Sequence, residues 1–361
     1  LLSSSQKHMN AAVFLGPNKI SNRQVTLYDQ KSIENTKLLR VKSCAVCGYD
    51  VRVFRNGHEK VNPPIILGHE ICAESIDDIK LANGLTIPAN TRVAISPIVP
   101  CLLCAYCSNG QYNLCSNLRE LGSSINGGFA EYVQVPNTTL QIGGIIPIPG
   151  GVKDSEASLL EPLACCINGL SRLDRHSLDE DHSVCIIGDG PIGLIHLKLF
   201  NLARAKSIVI GKIESRMKAA KSMGAGEVLL ASDRLESTVK EVFSLTKGVG
   251  ASLVIIATSN PQALALATKI TSKNAQISVF AGMPKNTTLS LDSNWLHYNQ
   301  VSIIGNFSAT SDSMRQAIRF VSKGRIDLSD LVSHSYSLSN IEEALEATES
   351  YHGLRNVINE F

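Results

Sequence analysis

One glycine-rich segment restricts the fold of this chain more than any other feature. Gly188-Asp189-Gly190-Pro191-Ile192-Gly193 follows the apolar run Val184–Ile187 and begins a segment, Ile192–Ala203, with helical apolar spacing. In this pattern the first glycine permits a tight turn, the second lets backbone approach a pyrophosphate, and the third lets helix and strand pack closely. The helix N-terminus then faces the anion. This strand–turn–helix context predicts a dinucleotide-binding unit rather than a glycine-rich turn in another α/β unit.

The second half of the chain alternates strand and helix patterns. The predicted strands are Val184–Ile187, Ser207–Ile210, Glu227–Leu230, Leu253–Ala257, Gln276–Ala281 and Val301–Ile304. The predicted helices between them include Ser215–Met223, Leu235–Thr246 and Pro261–Ile270. Strands that alternate with helices predict a doubly wound parallel sheet.

The first half has a different pattern, and the length of 361 residues suggests two domains. Short apolar runs with frequent glycine and proline continue to about Pro149, which predicts a mainly β region. Ser155–Leu173 then has helical spacing, and Asp312–Phe361 combines two helical stretches with short strands. The whole chain is therefore expected to be α/β.

Charge and hydropathy argue against two classes of partner. Lys+Arg 34 against Asp+Glu 32 gives a net charge of +2, so nothing in the bulk charge favours nucleic acid or a membrane surface. The sequence contains no apolar run of about 18 residues, so no transmembrane helix is predicted. Leu1–His8 is polar and serine-rich and lacks the apolar region of a signal peptide. We expect a cytoplasmic protein without nucleic-acid or membrane partners.

Four of the ten cysteines form the most specific motif. The spacing Cys101-x2-Cys104-x2-Cys107-x7-Cys115 suits one tetrahedral Zn²⁺ held by four thiolates. A shell closed by four thiolates leaves no open position, so this zinc would be structural. Two disulfides or unrelated thiols are an alternative, disfavoured in a reducing compartment. An iron–sulfur cluster is a further thiolate-bound alternative.

A second metal site is suggested by three residues that are distant in sequence. Cys47 precedes Gly48, His69 lies between Gly68 and Glu70, and Glu161 follows apolar residues directly before a proline. A thiolate, an imidazole and a carboxylate leave one position open for water or substrate, as a catalytic zinc requires. These residue types alone do not establish the site, because a lone histidine is more often a core or surface residue.

Six motifs in order make the chain resemble a known family. They are Cys47-Gly48-x-Asp50, Gly68-His69-Glu70, the four-cysteine motif, Gly127-Gly128-Phe129-Ala130-Glu131-Tyr132, Glu161-Pro162-Leu163 and Gly188-x-Gly190-x-x-Gly193. The chain resembles the zinc-dependent medium-chain dehydrogenases/reductases of the alcohol dehydrogenase superfamily. Glu161-Pro162-Leu163 is similar to the sorbitol and threonine dehydrogenase branch, whereas simple-alcohol dehydrogenases have a cysteine as third ligand.

The resemblance implies a domain order and a ligand set. A GroES-like catalytic domain would be formed by residues 9–160 and 307–361, around a Rossmann domain at residues 161–306. The catalytic zinc would be held by Cys47 and His69 with either Glu70 or Glu161, directly or through water. Asp50 matches the carboxylate that orients a ligand histidine. A homodimer or homotetramer, joined near Val301–Ile304, is also implied.

The chain departs from the family pattern near the catalytic zinc. Tyr49 stands where the family usually has a serine or threonine hydroxyl that passes the alcohol proton away from zinc. A tyrosine hydroxyl reaches farther, so its relay role is a hypothesis. Cys44 and Cys165 are rival ligands. Cys47 rather than Cys44 carries the matching glycine and aspartate, and Cys165 and Cys166 are also explained as small buried hydrophobic residues.

The segment after the second Rossmann strand bears on the choice of cofactor. An NAD enzyme normally presents an acid there to the ribose hydroxyls, and this chain has Gly211. Lys212, Ser215 and Arg216 supply positive charge and donors to a 2′-phosphate, which predicts NADP(H). The alternative is that Glu214 binds the ribose. Further candidate cofactor residues follow the later strands: Ala257, Thr258, Phe280, Ala281, Gly282 and Asn306.

These residues together predict the reversible oxidation of a secondary alcohol, such as a polyol or sugar alcohol, with NADP(H). The alternatives are an NAD-dependent amino-alcohol dehydrogenase of the threonine type and a non-catalytic nucleotide-binding member of the family. Candidate pocket residues are Tyr49, Phe54, Arg55, His58, Tyr132, Trp295 and His297.

Overall fold

The computed structural model describes residues 8–27, 35–81, 84–174, 183–232 and 234–361. Within the polar lead discussed above, Leu1–Lys7 lies outside these ranges. The chain divides into a first unit, residues 1–165 with 309–361, and a second unit, residues 166–308. The resemblance implies boundaries at 160/161 and 306/307, and the division in the structure falls at 165/166 and 308/309.

The first unit begins with three strands of eight to ten residues and continues with shorter ones, because its later apolar runs are brief and end at glycine or proline. In chain order these strands are β1 (His8–Gly16), β2 (Lys19–Thr26), β3 (Thr36–Ala45), β4 (Ile65–Ile66), β5 (Glu70–Ser75), β6 (Ile79–Lys80), β7 (Thr86–Ile87), β8 (Arg92–Ile95), β9 (Ile98–Val99), β10 (Arg119–Glu120), β11 (Tyr132–Pro136) and β12 (Ile145–Pro147). The helices are α1 (Gly48–Asn56), α2 (Ala105–Ser108), α3 (Asn137–Gln141), α4 (Asp154–Ala157) and α5 (Leu160–Leu170).

Two of these helices differ from the sequence prediction. The segment after Cys47 is the helix α1, which the sequence analysis does not predict. Its apolar residues Val51, Val53 and Phe54 are buried. The single helix predicted over Ser155–Leu173 is instead α4 followed by α5.

The second unit contains the predicted doubly wound parallel sheet. Its strands are β13 (Ser183–Ile187), β14 (Lys206–Gly211), β15 (Glu227–Leu230), β16 (Ala251–Ile256), β17 (Thr271–Val279) and β18 (Ser302–Gly305). Its helices are α6 (Pro191–Leu202), α7 (Glu214–Ser222), α8 (Leu235–Leu245), α9 (Gln262–Ile270) and α10 (Ser293–Asn299). The strand order is β15-β14-β13-β16-β17-β18 with parallel pairing throughout. The order reverses beside β13, where such sheets bind dinucleotides.

The C-terminal segment completes the first unit. It comprises α11 (Ser311–Ser322), β19 (Val332–Ser337), α12 (Ile341–Glu349) and β20 (Arg355–Glu360). A seven-stranded sheet has the order β12-β8-β5-β3-β20-β19, and β11 also pairs with β3. Ala45 of β3 pairs with Glu70 on one side and Val357 on the other, so residues from three distant segments meet at one end of β3.

Each unit has its own hydrophobic core. The first is built around Phe14, Phe54 and Phe129, and the second around the inward residues of the parallel sheet, such as Ile210 and Val254. Among the helices of the described ranges, none combines the length and the apolar content needed to cross a bilayer.

Candidate active site and dinucleotide site

Three potential metal ligands of the first unit converge at the end of β3. Ligand atoms of Cys47, His69 and Glu70 all lie within 4.8 Å of one another. Cys47 is the N-cap of α1, and Glu70 is the first residue of β5. Gly68 has φ +90°, and a Cβ there would lie 2.8 Å from the Cys44 sulfur. Only glycine therefore fits the turn that brings His69 beside Cys47.

A buried carboxylate fixes two of these ligands. Asp50 is fully buried, and its Oδ2 accepts a hydrogen bond from the Cys47 backbone N–H at 2.9 Å. Its Oδ1 lies 3.5 Å from Nδ1 of His69 and accepts from the Gly68 N–H at 3.3 Å. Such a carboxylate orients a ligand histidine and increases its basicity.

Glu70 forms a buried ion pair and retains one free oxygen. Its Oε1 lies 3.0 Å from the Arg355 guanidinium, and both side chains are almost fully buried. Arg355 also donates to the Val46 carbonyl at 3.0 Å. Among the described residues Oε2 of Glu70 has no hydrogen-bond partner, although it is buried. A buried anionic oxygen without a partner is costly, and a metal ion would satisfy it.

The proton affinities of Cys47 and His69 reflect this cluster of negative charge. Burial alone would raise the pKa of the Cys47 thiol, but the hydrogen bond and charge of His69 lower that pKa to about 7. Burial opposes protonation of His69, yet Asp50 and Cys47 raise its pKa well above the usual value. The position thus attracts a cation, and its thiolate, imidazole and carboxylate donors suit zinc.

Glu161 lies outside the three-donor group. Its Oε1 accepts a hydrogen bond from the Cys165 thiol at 3.0 Å, one turn later on α5. Its charge nevertheless contributes to the raised pKa of Glu70. Cys44, the other rival ligand, is fully buried and lies outside the group as well. Burial raises its pKa well above the usual value, as expected for a thiol packed in a core.

Tyr49 lies beside the donor His69 and also contacts two other side chains. Its ring is 5.7 Å from the His69 ring and 5.4 Å from the His58 ring, both edge-on. Its hydroxyl forms a hydrogen bond of 2.9 Å with the Ser123 hydroxyl. Burial raises the pKa of Tyr49, so the phenol keeps its proton near neutral pH. Ser123 belongs to no sequence motif, so its hydrogen bond with Tyr49 could not be predicted from the sequence.

Glu120 is an acidic side chain near the same donors that the sequence analysis missed. It lies in β10, and burial raises the pKa of its carboxyl. His69 and Lys60 lower that pKa and Glu161 raises it, so Glu120 shares the electrostatic field of the site. Within the described ranges its carboxylate forms no hydrogen bond.

The four cysteines of the predicted structural site also converge. The sulfur atoms of Cys101, Cys104, Cys107 and Cys115 lie within 4.8 Å of one another, and none forms a disulfide. Backbone N–H groups point at three of them: Cys101 N to Cys115 Sγ at 3.2 Å, and Leu103 N and Ser116 N to Cys101 and Cys104 at 3.5 Å. The N–H groups of Ser116 and Cys107 lower the pKa of Cys104 to about 5. Stabilised thiolates at this spacing fit a tetrahedral metal ion.

The glycine motif of the second unit has the geometry that a pyrophosphate requires. Gly188 follows β13 with φ +128°, and Gly190 is the N-cap of α6, which begins at Pro191. A Cβ on Gly193 would lie 2.0 Å from the Gly188 carbonyl oxygen, so close packing excludes any side chain there. A Cβ on Gly190 would meet only an Arg216 nitrogen at 3.9 Å, which leaves room for a ligand. The glycine motif and the N-terminus of α6 therefore fit a dinucleotide.

The end of β14 differs from the sequence prediction. The Asp189 carboxylate lies there, and its Oδ2 accepts hydrogen bonds from the N–H groups of Lys212 and Ile213, both at 2.7 Å. Arg216 is only 7% exposed, whereas Lys212 and Ser215 are exposed. Glu214, the alternative ribose acceptor, pairs with Lys218 at 2.9 Å. An acidic side chain therefore lies at the end of the second strand of the sheet, where enzymes of this fold that use NAD present one.

The other candidate cofactor residues lie at the carboxyl ends of β16, β17 and β18. Ala257 donates to the Ile187 carbonyl at 2.9 Å and so lies beside the glycine motif. Thr258 follows it, and Phe280, Ala281 and Gly282 follow β17. Asn306 follows β18 and donates to Ser278 at 2.6 Å, and its Oδ1 is buried without a partner in the described part of the chain. That oxygen is available to a ligand donor.

The candidate pocket residues belong to several different elements. Phe54 belongs to the hydrophobic core, and Arg55 binds Glu349 at 2.7 Å. Tyr132 is a strand residue paired with Arg40. Trp295 and His297 belong to α10 of the second unit. The Tyr49 ring contacts the ring of the donor His69, and the His58 ring contacts that of Tyr49.

Comparison with known proteins finds family matches in both halves of the chain. Residues 34–148 match the alcohol dehydrogenase GroES-like domain, and residues 191–323 match the zinc-binding dehydrogenase family. The chain is 27% identical over 351 residues to a sorbitol dehydrogenase of Bacillus subtilis (strain 168), covering 94% of this chain and 93% of that protein. It is 28% identical over 324 residues to an L-threonine 3-dehydrogenase of the same organism, covering 87% and 88%.

Solved structures share the fold. A zinc-binding dehydrogenase from Sinorhizobium meliloti 1021, determined with NADP bound, superposes with a TM-score of 0.85 at 24% identity. The match covers 98% of this chain and all of that chain. The family matches, the relatives and the fold agree with one another. The chain therefore belongs to the zinc-dependent alcohol dehydrogenase superfamily of medium-chain dehydrogenases/reductases.

Proposed function

We propose that this chain oxidises a secondary alcohol of the polyol or sugar-alcohol type, reversibly, with zinc and a nicotinamide cofactor. The observation that carries the proposal is the convergence of Cys47, His69 and Glu70 within 4.8 Å, with one Glu70 oxygen left without a partner. The sorbitol dehydrogenase relative supports the polyol class.

We assign the metal ligands as follows. Cys47, His69 and Glu70 would hold the catalytic zinc, and the four cysteines Cys101, Cys104, Cys107 and Cys115 would hold a structural zinc. Glu161 would act through water, since its carboxylate lies outside the three-donor group and accepts a bond from Cys165. When bound, zinc acts as a Lewis acid on the alcohol oxygen and the nicotinamide accepts the hydride.

The side chains of the protein would contribute orientation and proton movement. Asp50 holds His69 in one ring orientation, and Arg355 offsets the charge of Glu70. Tyr49 and Ser123 share a hydrogen bond in which either hydroxyl can donate, so the pair can pass on a proton. General acid–base groups of this kind typically contribute about 10²–10⁴ in rate.

The cofactor preference is the part of the sequence prediction that we revise. Gly211 and Lys212 favour NADP(H) on sequence grounds. The position of Asp189, 2.7 Å from two backbone N–H groups at the strand end, supports NAD(H) instead. A carboxylate there would repel a 2′-phosphate and can accept a bond from a ribose hydroxyl.

A substrate panel tests the proposed function. Sugar alcohols, inositols, diols and simple alcohols would each be tried with NAD⁺ and NADP⁺, and formation of the reduced nicotinamide followed by absorbance. We expect activity with at least one polyol that is lost on chelation and restored by zinc. A zinc-loaded, folded protein that is inactive with every alcohol would contradict the proposal and favour the non-catalytic alternative.

An amino-alcohol substrate of the threonine type is a second candidate, and Glu120 favours it. A half-buried carboxylate without a hydrogen bond in the described part of the chain, within electrostatic range of His69, suits an ammonium group of a substrate. The threonine dehydrogenase relative is consistent with this candidate. Glu120→Gln should raise KM for an amino alcohol about tenfold or more and leave KM for a polyol nearly unchanged. Equal effects on both substrates would remove this candidate.

We also propose that the chain forms a homodimer or homotetramer through β18. This strand is at the edge of the six-stranded sheet, so its outer backbone groups have no strand partner among the described residues. Exposed apolar side chains lie close in sequence: Tyr298 is 73% exposed and Phe307 46%. Unprotected edges of this kind pair with another strand. Sedimentation velocity would test this, and a monomer at micromolar concentration would contradict it.

A further inference from the structure

We propose that Asp189, inside the glycine motif, is the acid that binds the adenosine ribose and selects NAD(H). In parallel sheets of this kind the ribose acid normally stands at the end of the second strand, here β14. This chain has Gly211 at that position, and the acid would have moved to a different segment. The inference rests on the proposed nicotinamide-dependent function and goes beyond it by naming the residue that discriminates between the two cofactors.

The steric environment of Gly211 supports this exchange of positions. A Cβ built on Gly211 would lie 2.5 Å from both Cβ and Oδ2 of Asp189, and also 2.5 Å from the sulfur of Met217, a flexible side chain that can move aside. The Asp189 side chain therefore occupies the space that a strand-end side chain would need. A side chain at position 211 would clash with an aspartate at position 189. The presence of Asp189 therefore explains the glycine at 211, and no 2′-phosphate is needed to explain it.

Two hydrogen bonds hold the Asp189 carboxylate in place. Oδ2 accepts from the N–H groups of Lys212 and Ile213, the two residues after β14, both at 2.7 Å. Two N–H donors stabilise the ionised form of a carboxylate. Oδ1 forms no hydrogen bond within the described ranges, and the residue is half-buried. One oxygen is therefore anchored and the other is free to accept a ribose hydroxyl.

The same arrangement disfavours a 2′-phosphate. The two N–H groups that would bind phosphate oxygens already donate to Asp189. An anionic carboxylate beside a phosphate dianion is repulsive, and rejection of this kind contributes to specificity as much as attraction does. Arg216, the buried cation of α7, lies against Gly190 instead, where the pyrophosphate of either cofactor would pass.

The test is the binding of NADH and NADPH without substrate, followed by cofactor fluorescence, so the result does not depend on whether a substrate is known. The wild type should bind NADH at least about tenfold tighter than NADPH, the size expected for one hydrogen bond to a charged acceptor. Asp189→Asn keeps one oxygen for the two N–H groups and replaces the free oxygen by a donor. It should weaken NADH about tenfold and strengthen NADPH.

A variant that moves the acid from position 189 to position 211 distinguishes a role in binding the ribose from a role in stabilising the loop. Gly211→Asp alone should impair binding of both cofactors, because the new Cβ meets Asp189. Asp189→Gly combined with Gly211→Asp should return the preference for NADH, with the acid at the strand end. Rescue by the double variant would not arise if Asp189 only supported the loop.

Three results would overturn the inference: a wild type that prefers NADPH, an Asp189→Asn variant that weakens both cofactors equally, or a double variant without recovery. Loss of alcohol oxidation with NADH binding intact would count against the proposed function and leave the role of Asp189 standing. Melting temperatures of all variants identify any that fail to fold, and Glu214→Gln, on the exposed side of α7, is the matched control that should change neither affinity.

Discussion

Individual buried charges characterise the proposed metal site. The sequence predicts Cys47, His69 and Asp50 because they belong to short local motifs. It gives no indication of Arg355, which donates to the Val46 carbonyl from 309 residues away. The choice between Glu70 and Glu161 also depends on tertiary position, since both are acids in suitable motifs. Local chemistry is therefore readable from the sequence, whereas the partner of a buried charge is not.

Removal of the Arg355 guanidinium should lower the free energy of unfolding, because the buried Glu70 carboxylate loses its partner. Arg355→Met leaves that charge unpaired, which costs about 3–5 kcal/mol of the free energy of unfolding. Arg40→Met breaks an exposed pair with Glu74 and should cost less than about 1 kcal/mol. Differential scanning calorimetry would compare the two variants. Equal losses would show that the Glu70–Arg355 pair is not buried in solution.

Zinc affinity should depend steeply on pH. The metal binds the Cys47 thiolate and neutral His69, so binding releases protons. The pKa of Cys47 is about 7 and that of His69 is raised well above its usual value. Below pH 7 both groups carry protons, and the apparent affinity should fall about a hundredfold per pH unit. Competition with a chelator at pH 6 and pH 8 measures this, and an affinity independent of pH would contradict the ligand assignment.

At the scale of elements, the parallel sheet was predictable and the small β elements were less so. Six apolar runs, one directly before the glycine motif and five after it, alternate with helices. This pattern is typical of a doubly wound parallel sheet, and the observed strand order agrees with it. Helix α1 was missed because its nine residues contain few strong helix signals and gain stability from burial of Val53 and Phe54. Asp189 shows a further limit, because the space it fills is visible only in three dimensions.

Substitutions of the second and third glycines of the cofactor motif should have different effects. Gly193→Ala places a Cβ 2.0 Å from the Gly188 oxygen and should unfold the second unit. Gly190→Ala has open space and should keep the fold while weakening NADH about tenfold or more, by obstructing the pyrophosphate. The single tryptophan, Trp295, packs against that unit's core, so its fluorescence reports unfolding there. A stable Gly193→Ala variant would contradict the packing argument.

The four-cysteine segment should lose its metal independently of the catalytic site. Cys104→Ser should lower bound zinc from two ions per chain to one, because three thiolates hold zinc more weakly than four. Cys165→Ser is the matched control: its hydroxyl can still donate to Glu161, and zinc content should not change. Elemental analysis gives both numbers. Loss of zinc in the Cys165 variant would restore that residue as a ligand.

At the scale of the whole molecule, the two units carry different chemistry. The first unit, built from both ends of the chain, contains the metal ligands, and the second contains the glycine motif. Every proposed catalytic metal ligand belongs to the first unit, so zinc binding should not require the cofactor. The central claim is that this metal makes the protein an alcohol dehydrogenase.

The most direct test is the rate at which a polyol reduces NAD⁺, measured on the purified protein before chelation, after it, and after return of zinc. We expect the rate to disappear with the metal and to return with it, and to be absent in a zinc-supplemented Cys47→Ser variant that remains folded. A rate that survives removal of the catalytic zinc, or an unimpaired Cys47→Ser variant, would contradict the account.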